Sequence, residues 1–244
     1  MRYLVLSDVH ANLEALEAVL AAEPSWSQAL ILGDLVGYGA DPNAVVERVR
    51  QLPIAAIVRG NHDKVATGLA SVDTFNPIAR QAILWTAHTL TAGNYAWLAA
   101  LPQGPMPFDH DIEVCHGAPF DEDFYVFDEL DAQRAGASAS RPLCLLGHTH
   151  VQGIFRLGQY VSAERTSARV PYPFHYATIS RALVNCGAVG QPRDGDPRAA
   201  YGLLDTDAKV LTLGRVAYDV EAAQAKILAA DLPASLAQRL AIGR

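Results

Sequence analysis

Tyr3 to Ser7 is a short apolar run that stops at a polar cluster, the pattern expected of a strand buried on both faces. Asn12 then precedes Leu13, Leu16, Val19 and Leu20, whose spacings of three and four predict an amphipathic helix with Asn12 as its N-cap. Ala29 to Leu32 predicts a second buried strand, followed by Gly33-Asp34. Pro42 to Val49 predicts a second helix, with Asp41 as cap and Pro at the first position. Ile54 to Val58 predicts a third strand that ends at Gly60. Strand, helix, strand, helix, strand at this spacing implies parallel βαβ units, in which loops at the carboxyl ends of the strands form the edge of any site.

From about Phe75 to Leu101 the pattern turns helical, with Trp85, Leu90 and Trp97 as packing residues. Ile112 to His116, Leu143 to Leu146, Gln152 to Leu157, Ala182 to Cys186, Tyr201 to Leu204 and Val210 to Arg215 then predict short strands broken by Gly, Pro or Asp, and helix resumes from Glu221. Two strand-rich halves of this kind predict an α/β fold of two packed β-sheets with helices outside. No internal repeat, long linker or shift of composition interrupts residues 1–244, so a single domain is expected. The stretch from Tyr160 to Arg181 carries Arg165, Arg169, Tyr172, Phe174, His175 and Tyr176, and is expected to be an edge hairpin or subunit contact; a hairpin capping the site is the alternative.

Composition narrows the function classes. The chain is 50% hydrophobic and 18% charged, enough apolar material for a sizeable core. Its net charge of −7, with only three lysines and no basic stripe, argues against stable nucleic-acid binding. Cys115, Cys144 and Cys186 each sit in an apolar run and are expected to be buried thiols in a reducing compartment. No apolar run approaches the ~20 residues of a membrane span or forms a signal peptide, so a cytoplasmic protein without membrane contact is expected.

The chemistry lies at the strand ends. They deliver Asp8-Val9-His10, Gly33-Asp34, Gly60-Asn61-His62-Asp63, His116-Gly117 and Gly147-His148-Thr149-His150. A four-residue word such as G-N-H-D arises on the order of once in a hundred thousand positions at ordinary residue frequencies, so the joint pattern implies selection for a site. Neutral imidazoles and carboxylates are the ligands of Mn²⁺, Fe, Zn²⁺, Co²⁺ or Ni²⁺ rather than Ca²⁺, and no cysteine word indicates a structural zinc site. One carboxylate can bridge two ions where an imidazole cannot, and Asp34, alone on its strand end, is the candidate for that place. Two such ions retain excess positive charge beside Asp8 and Asp34, which would attract a phosphate and acidify a bridging water.

In order along the chain, D-x-H, G-D, G-N-H-D, H-G and G-H-x-H resemble the calcineurin-like metallophosphoesterases. A further stretch, Asn185-Cys186-Gly187-Ala188-Val189-Gly190-Gln191-Pro192-Arg193, looks like the N-P-G-S-V-G-x-x-R segment of the small bacterial YfcE-like phosphodiesterases. The resemblance implies a four-layer αββα sandwich of two mixed sheets. It also implies one metal held by Asp8, His10, Asp34 and His150, and a second held by Asp34, Asn61, His116 and His148. His62 would stay off the metals, donating to a phosphoryl oxygen or protonating the leaving group, while a bridging hydroxide attacks phosphorus. Asp34 and His62 are thus the expected catalytic pair, two divalent ions (Mn²⁺ first) the expected cofactors, and a small phosphodiester or phosphomonoester the expected substrate.

Departures from the family pattern shape the alternatives. Gly33-Asp34-Leu35-Val36-Gly37-Tyr38-Gly39 lacks the second Asp and the Arg of the G-D-x-x-D-R-G found in protein Ser/Thr phosphatases, which disfavours a dedicated phosphoprotein phosphatase. Cys186 and Ala188 replace Pro and Ser of the small-branch segment, and Ala11 stands where that branch usually has Gly. A protein-binding scaffold on the same fold, a double-strand-break type nuclease and a nucleotide hydrolase remain as rival readings. Asp63 is expected to bond backbone and shape its turn. Asn12 is either a substrate contact or simply a helix cap; Arg193 is either a phosphate clamp or part of a turn-stabilising ion pair. The acidic run Asp121, Glu122, Asp123, Asp128, Glu129 and Asp131 is expected to be a solvated loop and helix start, and His88 and His110 to be structural or exposed.

Overall fold

In the computed structural model, which describes residues 1–166 and 170–244, the chain begins β1 (Arg2–Leu6), α1 (Leu13–Ala22), β2 (Gln28–Ile31), α2 (Pro42–Arg50) and β3 (Ile54–Ile57). β1 pairs in parallel with β2, and β2 with β3, as the hydrophobic runs imply. The alternation within β1 accounts for its burial on both faces: Leu4 and Leu6 pack with Leu16, Val19 and Val45 of the helices, while Val5 points the other way into the core between the sheets. The Asn12 Oδ1 accepts from the Ala15 backbone N–H at 3.1 Å and caps α1. Asp41 makes no side-chain cap on α2; its carboxylate pairs instead with Lys226 Nζ at 2.6 Å.

The first sheet is completed by β9 (Tyr172–His175), β11 (Ala199–Asp205) and β12 (Val210–Val216), in the order β3-β2-β1-β11-β12-β9. The second contains β4 (Met106–Pro107), β5 (Ile112–Val114), β6 (Leu143–Leu146), β7 (Gly153–Leu157), β8 (Val161–Arg165) and β10 (Arg181–Asn185), in the order β4-β5-β6-β10-β7-β8. Both sheets are mixed. β5, β6 and β10 run parallel, mirroring β1, β2 and β3, and the remaining pairings are antiparallel.

Val5, Leu30, Leu32, Ile112, Leu143, Leu145, Val184 and Leu213 fill the space between the sheets. Each fully buried Leu there contributes about 1.5–3 kcal/mol. On the outer face of the second sheet, Cys144, Leu146 and Leu183 pack on Ala132 and Ala135 of α6 (Glu129–Ser138), a helix capped by Asp128. All three cysteines are buried and free. Helices thus flank two packed mixed sheets, the architecture implied by the motifs. Among the described residues, no helix is long and apolar enough to cross a membrane.

One expectation is refined and one needs correction. The helical stretch after Phe75 is two helices, α4 (Pro77–Thr89) and α5 (Ala92–Ala99). Asn43 Oδ1 holds the Thr91 N–H at 2.9 Å, and Thr91 Oγ1 accepts from Asn94 N at 3.3 Å to start the second helix. Trp85, Leu90 and Trp97 are partly buried and pack against the core. The stretch from Tyr160 to Arg181 is not an edge hairpin, because its strands have different partners. β8 pairs with β7 at the rim of the second sheet, whereas β9 pairs with β12 at the rim of the first. The segment crosses between sheets, and Phe174 and Tyr176 sink into the core between them; Arg169 lies outside the described residues.

Candidate metal centre

The parallel strands of both sheets point their carboxyl ends at one place, where the backbone leaves the ordinary regions of conformational space. Asp8 (φ +53), His10 (+49), Asp34 (+54), His148 (+66) and His150 (+60) all adopt left-handed conformations without being glycine. Such strain persists only where surrounding structure imposes it, and it clusters at functional sites. Close approach of the loops requires two glycines. A Cβ on Gly60 would strike the Asp34 carboxylate and come within 2.5 Å of the Asp34 N; one on Gly147 would strike Ser7 Oγ and sit 2.5 Å from Asp8 Oδ2.

The side chains converge in two groups that share Asp34: Asp8, His10, Asp34 and His150, and Asp34, His116 and His148. Asp34 Oδ2 lies between them, 3.6 Å from His10 Nε2 and 3.3 Å from His116 Nε2, while its Oδ1 accepts from the His62 backbone N–H at 2.8 Å. Asp8 Oδ1 is 3.2 Å from His150 Nε2, and Asp8 Oδ2 accepts from Ser7 Oγ at 2.6 Å and from His148 N at 3.1 Å. Asn61 Oδ1 lies 3.2 Å from His116 Nε2, which extends the second group by an amide oxygen. All of these side chains are buried.

Backbone carbonyls orient the four imidazoles of the two groups. His10 Nδ1 faces Val36 O at 3.1 Å, His116 Nδ1 faces Leu32 O at 2.8 Å, His150 Nδ1 faces Gln191 O at 2.6 Å, and His148 Nε2 faces Asp123 O at 3.1 Å. A nitrogen facing a carbonyl carries a proton, so the other nitrogen is the one turned to the centre, able to offer a cation its lone pair once any proton there has left. Those inward nitrogens crowd one another: His10 Nε2 is 3.1 Å from His150 Nε2, and His116 Nε2 is 3.0 Å from His148 Nδ1. Asp34 Oδ2 is buried with no hydrogen-bond partner. Converging ring nitrogens and an orphaned carboxylate oxygen call for positive charge between them, and this nitrogen and oxygen donor set fits divalent transition-metal ions.

The electrostatics agree. Burial opposes ionisation of both carboxylates, but His150 beside Asp8 and His116 beside Asp34 outweigh it and hold each below the usual range. Burial likewise opposes charge on His116, yet Asp34 and the more distant Asp8 push its pKa up to about 10. Burial keeps His148 neutral, lowered to about 3, with His116 adding to the drop, and also lowers His10 and His150.

His62 sits beside the two groups. Its ring packs 4.8 Å from His10, 4.4 Å from Tyr38 and 4.8 Å from Phe75, and Nδ1 is buried with no partner. A Cβ on Gly37 would strike that Nδ1, so residue 37 has no room for a side chain. Burial lowers the His62 pKa to about 4 against the pull of Asp34, and Arg193 lowers it further. Asp63 bonds backbone, as expected: Oδ1 accepts from Leu35 N at 2.9 Å and Val36 N at 3.2 Å, and Oδ2 from Gly60 N at 3.0 Å.

The remaining positions divide. Asn12 caps α1 and donates one amide N–H to Gly190 O at 2.9 Å. Arg193 stands over the Tyr38 ring at 5.5 Å, and the turn ion pair expected for it belongs to its neighbour, as Asp194 pairs with Arg215. The acidic loop is not wholly solvated: Glu122 pairs with Arg59 at 3.1 Å and Lys64 at 3.0 Å, and Asp123 with Lys64 at 2.7 Å. His88 and His110 are exposed.

Tyr38, Phe75, Gln191 and Tyr125, which stacks on His148 at 3.8 Å, belong to the site yet carry no periodic signal. Only their position in polar loops after the predicted strands or before predicted helix could have pointed to them. Next to the second group opens a cleft lined by Asn61, Lys64, Phe75, Asp123, Tyr125 and His148.

Comparison with known proteins is consistent with this geometry. The calcineurin-like phosphoesterase superfamily domain matches residues 1–209. The chain is 34% identical over 252 residues to an uncharacterized protein of Methanocaldococcus jannaschii, covering 98% of this chain and 97% of that one. Its fold is similar to the crystal structure of a metallophosphoesterase from Sphaerobacter thermophilus, with 41% identity, a TM-score of 0.90, and coverage of 100% and 99%. A hypothetical protein from Pyrococcus horikoshii shares the fold at 19% identity, with a TM-score of 0.76 and coverage of 100% and 98%. With its motifs, its two mixed sheets and this match in hand, the chain belongs to the calcineurin-like phosphoesterase superfamily.

Proposed function

We propose that the protein hydrolyses small phosphate esters, diesters ahead of monoesters, with two divalent cations at the centre. The observation that carries this reading is the pair of carboxylate and imidazole groups sharing Asp34. Asp8, His10, Asp34 and His150 would hold one ion, and Asp34, Asn61, His116 and His148 the other. Bound there, divalent ions supply charge neutralisation at the phosphoryl oxygens and a water acidified toward neutral pH. Mn²⁺ is the first choice, with Fe, Zn²⁺, Ni²⁺ and Co²⁺ also matched to the donors.

The chain's own groups do the positioning. Neither ring nitrogen of His62 bonds to another described residue, and its backbone N–H is tied to Asp34. The ring is therefore free to give an N–H to a phosphoryl oxygen while its cage of Tyr38 and Phe75 keeps it from swinging away. Asp63 locks the loop after β2 to the start of α3 (Asn61–Ala66), which fixes Asn61 and His62 relative to Asp34. The buried thiols fit the cytoplasm, and the net charge of −7 fits a small substrate better than nucleic acid.

The test is hydrolysis of a bis-aryl phosphate by Mn²⁺-loaded protein. Turnover is expected, with loss on chelation and a drop of about a hundredfold or more in His62→Ala. No turnover with any divalent ion, together with less than one metal per chain after native purification, would favour the scaffold reading instead.

A further inference from the structure

The family match stops at residue 209. Beyond it, α7 (Val220–Ala229) and α8 (Ala234–Leu240) pack on each other and on Tyr38, Ala79 and Ala82. The turn after α8 is pinned to the loop that follows β10, where the Gly195 N–H donates to Gly243 O at 3.0 Å. This docking brings Arg239 of α8 beside Arg193. Arg193 Nη2 donates to Gln191 Oε1 at 2.9 Å, and Arg239 Nη1 donates to the same oxygen at 3.4 Å. Gln191 is itself buried and bonds His150 through its backbone carbonyl.

Neither arginine has an ion-pair partner among the described residues. Asp194, adjacent to Arg193, is taken by Arg215, and Arg193 Nε is buried with no hydrogen-bond partner. Two like charges held on one neutral oxygen repel each other unless an anion joins them, and guanidinium groups are suited by shape to phosphoryl oxygens. The pair lies at the rim of the metal centre. Arg193 covers Tyr38, whose ring touches His10 and His62, and the Arg193 backbone N–H donates to His150 O at 3.1 Å.

We propose that Arg193 and Arg239 form an anion subsite for a second phosphoryl group of the substrate, so that diesters of pyrophosphate bind in preference to diesters of a single phosphate. The inference rests on the phosphoesterase reading and adds a substrate class to it. The C-terminal helices, outside the matched family region, thereby contribute a side chain to the site.

Two probes with the same aryl ends separate the roles: diphenyl phosphate, and diphenyl pyrophosphate with one phenyl on each phosphorus. Their binding to Mn²⁺-loaded His62→Ala protein, in which turnover is slowed, is read by calorimetry. The pyrophosphate diester is expected to bind roughly tenfold to a hundredfold tighter, the span of one charge-assisted hydrogen bond to a phosphoryl group. Adding Arg239→Gln is expected to remove most of that advantage, and Arg239→Lys, which keeps the charge, to retain part of it. An affinity ratio unchanged by Arg239→Gln, equal weakening of both probes, or no binding of either overturns the subsite. Absence of ester turnover by the wild-type protein with every divalent ion would sink the phosphoesterase reading separately, since the binding ratio needs no turnover.

Discussion

In the first sheet β1, β2 and β3 lead into Asp8, Asp34 and Asn61, with His10 the one imidazole among its candidate ligands; in the second, β5 and β6 lead into His116, His148 and His150. The two triplets of parallel strands are built alike and charged differently. All the formal negative charge of the centre comes from one sheet, and the other supplies nitrogen donors aimed by backbone carbonyls. On the two-cation reading, the carboxylate side would decide whether cations stay at all, and the imidazole side where they sit.

The sharpest way to break that comparison is to remove one residue from each side. Asp34→Asn takes away the charge shared by both groups, so metal content is expected to fall from about two ions per chain to well under one, with activity down about a thousandfold or more. His148→Ala removes a donor from the second group alone, and one ion per chain should remain, with a loss nearer a hundredfold. Elemental analysis of purified protein checks both. Equal metal loss in the two variants would end the distinction between the sheets.

A smaller effect separates the two sheets' supporting residues. Asp63 accepts from three backbone N–H groups at the first sheet's edge. Asn185 does the corresponding work in the second, donating to Gly147 O at 2.6 Å and Thr149 Oγ1 at 2.9 Å and accepting from Gly187 N at 2.8 Å. Asp63→Ala strands three buried N–H donors and is expected to cost about 3 kcal/mol or more, and Asn185→Ala about 1–2 kcal/mol, since it strands one N–H donor and leaves a hydroxyl and a carbonyl that are easier to satisfy with water. Urea unfolding of both variants orders them; a larger cost at Asn185 would reverse the ranking.

The first sheet's contribution was the more legible in sequence, for a physical reason. β1, α1, β2, α2 and β3 are local βαβ units in which Leu4, Leu6, Leu16, Val19 and Val45 state their faces through spacing alone. Asp8, Asp34 and Asn61 stand where those strands stop. In the second sheet, β5 spans three residues and β4 two, too short for periodicity to state a face, so His116 is legible only as the end of a short apolar run before Gly117 and His148 as part of the rare word G-H-x-H. Partners far apart in the chain left no trace. Tyr38 meets His62, Gln191 holds both Arg193 and Arg239, and the segment after Tyr160 divides between sheets because β7 and β12 offer separate free edges. Asp41 shows the same limit: its position is that of a helix cap, but Lys226, remote in sequence, takes the carboxylate.

The finest distinction lies within the second sheet, between His116 and His148. His116 faces Asp34 and has its pKa pushed up to about 10 against burial, whereas burial and the neighbouring His116 lower His148 to about 3. At pH 6 the metal-free protein therefore carries a proton on His116 and none on His148, and burial keeps His10 and His150 toward the neutral form as well. A cation entering the second group must displace the His116 proton, so metal affinity rises with pH below about 10, close to tenfold per unit. Titrating Mn²⁺ at about pH 6 in two buffers of different ionisation enthalpy should show about one proton released per chain. At that pH an acidified water, with a pKa near 7, adds little. Four imidazoles titrating at their ordinary 6.5 would together release about three. A count of three would mean that the carboxylates do not single out His116, and a count of zero that they hold no proton there at all.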